Sequence, residues 1–168
     1  IPFTFVEDEV ASVFALKQTF TNEPRLVIDG VDTTHRVSLT RFMAHLPITL
    51  HPRPQKILII ALGMGTTYRS ALKYDIPTHA VELVPSIPGL MDYFHSDASL
   101  FLNHPKGQIF INDGRNYAFL TREKYDIIII DPPPPFNTAG STVLHSQEYY
   151  QNLKKILNPG GTVSQWIY

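Results

Sequence analysis

The stretch from Lys56 to Thr67 constrains this chain more than any other. Six apolar residues, Ile57 to Leu62, run without interruption into a glycine turn at Gly63 and Gly65. A run of this kind, bounded by a loop, fits a strand buried on both faces, as in a parallel sheet. Residues 67–74 follow with the composition of a helix. Glycine lets the backbone pass close to a ligand, and the start of the next helix offers N–H groups without intrahelical partners. A nucleotide-like ligand would sit there. Glu82 ends the next apolar segment, His79 to Leu83, at about the twenty-residue offset where an acid meets a ribose hydroxyl. Many strand-to-helix turns carry glycine for structural reasons alone, so Glu82 adds weight that the glycines lack. The third glycine of a dinucleotide fingerprint would fall at Tyr68, which weakens the case for a dinucleotide.

The rest of the chain alternates strand and helix around that element. The reading predicts strands at 79–83, 108–113, 126–131 and from 162 onward, with helices at 114–120 and 146–157. Asn158-Pro-Gly-Gly161 is expected to end the last helix. Residues 85–94 read as helical or irregular, because Pro88 and Gly89 disrupt a regular helix. Such alternation predicts an α/β domain with a parallel sheet and helices on both faces. Right-handed crossovers then bring the loops after Leu62, Leu83, Asp113 and Asp131 to one carboxyl edge, where ligands bind. Ahead of this, residues 1–30 read as β structure, with a turn at Asp29-Gly30. Ser38 can cap a helix carrying the stripe Leu39, Phe42, Met43 and Leu46, expected to face the core, and Pro47 is expected to end or kink it. The division is therefore a β-hairpin region at 1–37, suited to packing or a homodimer contact, and a Rossmann-like domain at 38–168. Ile at position 1, and a last segment that reads as an unfinished strand, suggest a piece of a longer protein.

Charge and motif content narrow the function. The net charge is −1 with no basic block, which argues against nucleic acid as the main partner. There is no cysteine, so thiolate chemistry and disulfides are excluded. Signal-peptide and membrane-length apolar segments are absent from these residues, so a soluble, cytoplasmic domain is expected. The seven histidines form no HxH or HExxH pair, and no metal is expected. No serine sits in a nucleophile elbow.

Acids recur at the predicted strand ends: Glu82, Asp113 and Asp131. An unpaired buried charge is costly, so such acids are solvated or engaged with a ligand. Asp113 has a plain alternative as the cap of the helix that starts at Gly114. After Asp131 come four prolines, 132–135, and Phe136. Proline removes N–H donors, so this stiff loop could wall a pocket or simply close the sheet edge, with Phe136 placed to stack on a flat ring. Residues 137–142 are small and polar, as in a mobile lid.

Taken together, these stretches resemble the spermidine synthase (polyamine aminopropyltransferase) family. The resemblance is closer still to bacterial spermidine-synthase-like domains fused to membrane transporter segments. It rests on Leu26 to Gly30, His45 to Pro52, Ile57 to Thr67, Val81 to Leu83, Asp113 to Arg115, Tyr125 to Asp131 and Ser146 to Tyr150, in order along nearly the whole chain. It implies a small N-terminal β domain and a methyltransferase-like Rossmann domain, here stopping before its last strands. It also implies decarboxylated S-adenosylmethionine as donor and an amine as acceptor. Carried over, Gly63 and Gly65 line the donor, Glu82 holds the ribose hydroxyls, and Asp113 and Gly114 meet the adenine. Asp131, followed by Pro132, stands at the reacting centre as the candidate base.

The departures bear on activity. The second Asp of the family's Asp-Ser-Ser-Asp loop, its usual base, falls at Pro134. The Asp of its Gly-Gly-Gly-Asp-Gly turn falls at Met64, and the acceptor-side Gln and Tyr fall at Thr33 and Leu39. The nucleoside half of the site is thus kept while the polyamine half is largely lost. Two alternatives follow. One is an S-adenosylmethionine methyltransferase, since Asp131-Pro-Pro resembles the loop of amino-methylating enzymes, although Pro134 replaces their aromatic residue. The other is a catalytically inactive nucleoside-sensing domain of a membrane protein.

Overall fold

A computed structural model describes residues 3–17, 23–35, 38–131 and 142–167. Two sheets organise them. The first is antiparallel, in the order β1 (Phe3–Glu7), β2 (Ser12–Lys17), β3 (Pro24–Ile28), β4 (Val31–His35). Asp29 and Gly30 join β3 to β4 with φ of 49° and 78°, and Ile28 faces Val31 across the turn. Two positive φ values give the primed hairpin turn whose twist matches that of the strands it joins. The Asp29-Gly30 turn was legible, but β4 was not expected.

The second sheet is parallel throughout, in the order β7-β6-β5-β8-β9. Its strands are β5 (Ile57–Ile60), β6 (Thr78–Glu82), β7 (Gly107–Ile111), β8 (Tyr125–Ile130) and β9 (Leu157–Gln165). Every residue of β5 and β8 is buried, as the uninterrupted apolar runs predict. Alternate side chains feed two cores. Ile57, Ile59, Ile127 and Ile129 join Met43 of α1 (Ser38–Leu50) and Tyr68 and Ala71 of α2 (Thr66–Leu72). Leu58, Ile60, Ile128 and Ile130 join Tyr117 and Ala118 of α5 (Gly114–Leu120) and Leu153 and Ile156 of α6 (Gln147–Ile156). Between β6 and β7 lie a 3-10 turn, Ile87–Leu90, and two short helices, α3 (Met91–Phe94) and α4 (Ala98–Leu102). Val13, Ala15 and Leu26 of the first sheet belong to the same core as α1 and β5, so apolar packing is continuous from one sheet to the other.

Three expectations are corrected. Pro47 does not end α1, which continues to Leu50. The stripe of α1 expected in the core is largely outside it: Phe42 is 59% and Leu46 56% exposed, and Leu39 is exposed as well. The buried face is Met43, Ala44, Pro47 and Ile48. Both stripes have helical spacing, and packing against α2, β8 and β9 selects the second. Finally, Asn158 to Gly161 are not a loop between helix and strand. They lie within β9, where the register against β8 shifts between Tyr125 and Ile127 and Gly160 has φ 79°. A bulge absorbs residues that read as a stop signal.

Candidate functional site

Because the second sheet is parallel, its loops after β5, β6, β7 and β8 emerge at one edge. Glu82 is the last residue of β6, Asp113 follows β7, and Asp131 follows β8. The turn after β5 lies between them in strand order.

That turn is held by Glu82. Its Oε2 accepts from the N–H groups of Leu62 (2.8 Å) and Gly63 (3.3 Å), and its Oε1 accepts from Val84 N–H at 3.0 Å. Glu82 is buried, and burial pushes its pKa up against the lowering effect of these amides. Gly65 has φ 75°, and a Cβ there would lie 2.6 Å from Met91 Sδ. Gly63 also has positive φ, 52°, and so does Ala61, at 69°. Ala61 and Leu62 thus stand where the resembling family has its first two turn glycines, and Ala61 keeps the left-handed backbone that glycine would adopt without strain. Met64, at the family's turn Asp, is buried in the core with Tyr68 and Phe101, and its carbonyl accepts from His95 Nε2 at 2.8 Å. The aspartate is not merely replaced; its substitute is packed inward.

Asp113 caps α5. Its Oδ1 accepts from Arg115 N–H at 2.7 Å, so the helix-cap alternative is realised. The Arg115 side chain grips the same carboxylate: Nε lies 3.0 Å from Oδ1 and 3.1 Å from Oδ2, and Nη2 also donates to Oδ2. This guanidinium is the largest influence holding the Asp113 carboxyl below its usual range. Gly114 has a packing reason of its own, since a Cβ there would lie 2.5 Å from Ile60 Cγ2. Its place brings the start of α5 against the end of β5.

Asp131 differs from both. Its backbone N–H donates to Ile60 O at 3.1 Å, fixing it to the end of β5. Among the described residues, only one side chain bonds its carboxylate: Thr67 Oγ1, 3.2 Å from Oδ2. Burial pushes the Asp131 pKa up to about 6, and the Thr67 hydroxyl opposes that rise. Two side-chain partners of these carboxylates escaped the sequence reading, Thr67 and Arg115. Arg115 follows Asp113 by two residues, a spacing that could have signalled the pair. Thr67 is separated from Asp131 by sixty-four residues, so no local pattern connects them. Of the residues at the family's acceptor positions, Thr33 donates to Leu26 O within the first sheet and Leu39 is half exposed. Pro132, Pro134, Phe136 and most of the expected lid fall outside the described residues. Among the described residues no group of His, Cys, Asp or Glu has a metal-binding arrangement, and no helix is long and apolar enough to cross a membrane.

Strand order, parallel register and acids at the carboxyl edge define a Rossmann-like domain of the methyltransferase type, with a small antiparallel sheet before it. Comparison with known proteins narrows this. The spermine/spermidine synthase domain matches residues 7–166. The chain belongs to the spermine/spermidine synthase family. It is 31% identical to a polyamine aminopropyltransferase of Clostridium kluyveri over 152 residues, 88% of this chain and 54% of the relative. It is 32% identical to that of Methanocaldococcus jannaschii over 145 residues, 83% of this chain and 49% of the relative. Among solved structures, spermidine synthase from Thermotoga maritima superposes with a TM-score of 0.82 at 26% identity, over 96% of this chain and 55% of that one. A spermidine synthase in complex with the transition state analogue AdoDATO superposes with a TM-score of 0.85 at 24% identity, over 96% of this chain and 56% of that one. The chain thus spans about half the length of the curated relatives it matches.

Proposed function

We propose that this chain carries the donor-binding part of an aminopropyltransferase-like enzyme that takes decarboxylated S-adenosylmethionine, or a related thioether nucleoside, and transfers its aminopropyl group to an amine. The observation that carries this reading is the set of three carboxylates, Glu82, Asp113 and Asp131, at one sheet edge around the Gly63–Gly65 turn. The names of the relatives support the same reading. In it, Gly63, Gly65 and Glu82 meet the ribose end of the donor, Asp113 and Gly114 meet the adenine, and Pro132 is a further donor-binding residue.

Asp131 is the base. The amine acceptor must lose a proton to attack. Its nitrogen forms a bond to the aminopropyl carbon attached to sulfur, the carbon–sulfur bond breaks, and its electron pair neutralises the sulfonium to a thioether. The proton passes to Asp131. A carboxyl raised to about 6 is a better proton acceptor than an ordinary aspartate and is still mostly ionised at neutral pH. Met64 leaves the donor's tail without the family's turn carboxylate.

The division into 1–37 and 38–168, a homodimer, and attachment to membrane segments in a longer cytoplasm-facing parent belong to the same proposal. The deciding experiment is calorimetric titration with decarboxylated S-adenosylmethionine, S-adenosylmethionine and methylthioadenosine, in the parent chain, Glu82→Ala and Asp113→Ala. Preference for the decarboxylated donor, lost in both variants, is the expected result. Preference for the carboxylated donor would point instead to methyl transfer, and no binding by a folded sample would end the nucleoside reading for this chain.

A further inference from the structure

Thr67 is buried at the start of α2, yet its hydroxyl faces two acceptors. Thr40 O of α1 and Asp131 Oδ2 at the end of β8 each lie 3.2 Å from Thr67 Oγ1. A hydroxyl has one proton to donate and two lone pairs. It therefore serves one of these oxygens as donor at a time. When Asp131 is ionised, the charged acceptor takes the Thr67 proton, because hydrogen bonds to charged groups are the stronger ones. When Asp131 is protonated, its own O–H donates to Thr67 Oγ1, and the Thr67 proton turns to Thr40 O.

We propose that Thr67 is a positioning residue for Asp131, orienting the carboxylate for proton uptake and passing its protonation state to α1 by reversing the direction of the hydrogen bond between them. The inference rests on the reading of Asp131 as the base. Uptake of the amine proton at Asp131 then becomes a change in what α1 is bonded to, at the helix that runs beside α2. Among the described residues, no charged side chain bonds the Asp131 carboxylate. On α1, Arg41 is exposed and His45 bonds Tyr74, while Arg69 of α2 is paired with Asp97. Neither β5 nor β9 carries a titratable side chain. On β6, Glu82 is occupied by backbone amides.

The test is a pH titration of ligand-free protein by carbon-13 NMR, following the Asp131 carboxyl and the Thr67 methyl, with Asp131→Asn for assignment. The expected result is that the Thr67 methyl titrates with the Asp131 midpoint and stops titrating in Asp131→Asn. Thr67→Val should move the midpoint up by about one pH unit, and Thr67→Ser should leave it near the parent value. A Thr67 methyl that ignores the Asp131 midpoint overturns the proposal, and this is read in the parent protein whether or not Thr67→Val folds. An unchanged midpoint in folded Thr67→Val overturns it as well. Because the titration uses no donor, loss of the donor-binding reading in calorimetry and loss of this coupling are separate results.

Discussion

The sheet edge over β6 and β7 and the edge over β8 solve the same electrostatic problem differently. Over β6 and β7, each carboxylate is held by several donors: three amides on Glu82, and an amide plus a guanidinium on Asp113. Over β8, the Asp131 carboxylate has one hydroxyl among the described residues. The first arrangement fixes acceptors in place, which suits binding. Burial raises the proton affinity of Glu82 as well as of Asp131, but only Asp131 is left with its charge compensated by a single hydroxyl among the described residues, which suits proton transfer. In the proposed function, that difference separates the residues that would orient a ligand from the one that would take up a proton.

The sharpest way to break that comparison is to remove Glu82. Glu82→Ala leaves the amides of Leu62, Gly63 and Val84 without their acceptor, and should cost roughly 3 kcal/mol of stability in chemical denaturation. A loss under about 1 kcal/mol would mean that the carboxylate does not hold the turn. Asp131→Asn should act in the opposite direction. A carboxyl with a raised folded-state pKa holds its proton in the native state while the unfolded chain has released it. Its contribution to stability is therefore greatest near pH 4 and declines as pH rises through about 6. The asparagine variant avoids that decline and should be more stable than the parent at pH 7, by about 1–2 kcal/mol after allowance for solvent at this partly accessible residue. Thermal melts at pH 4 and pH 7 check it, and the gain should vanish at the lower pH.

Smaller effects sharpen the contrast. Ala61→Gly should stabilise the turn by about 0.5–1 kcal/mol, since relief of the left-handed alanine exceeds the added chain entropy. A loss of stability would place the turn's strain elsewhere. Arg115→Leu should let the Asp113 pKa return toward its usual value, observable by carboxyl NMR. Asp113's pKa is lowered in the folded state, so its contribution is present above the ordinary carboxylate range and lost on acidification. The variant should flatten that acid-side loss, with a cost below about 1 kcal/mol at neutral pH because the arginine is substantially exposed.

Much of this was legible in the chain because it is local. Ile57–Ile60 and the isoleucines of β8 announce strands buried on both faces. Asp113 ahead of Gly114 announces a helix start, and the acids closing apolar runs announce the shared edge. What failed was decided by distant partners. On α1, the expected stripe Leu39, Phe42, Met43, Leu46 and the buried face Met43, Ala44, Pro47, Ile48 share Met43 and helical spacing, and only the position of α2, β8 and β9 tells them apart. Asp32, Thr33 and Thr34 give β4 a polar composition, and its pairing with β3 overrides it. Asn158 to Gly161 carry every local mark of a stop, and the β8 ladder carries the strand through them. The Thr67–Asp131 bond joins elements far apart in the chain, where periodicity gives no signal.

The placement of β8 between β5 and β9 has a consequence for how the molecule opens. Its amides are paired on both sides and its side chains buried on both faces, so exchange with solvent deuterium at Ile127–Ile130 should require global unfolding. β1, at the edge of the first sheet with Phe3 and Phe5 exposed, should exchange through local fraying. Asp131 is thus anchored to the strand expected to exchange most slowly among the described residues. Breathing of the outer strands should therefore leave the Asp131 backbone in place, so that its carboxyl keeps its position at the sheet edge while the edge strands fray.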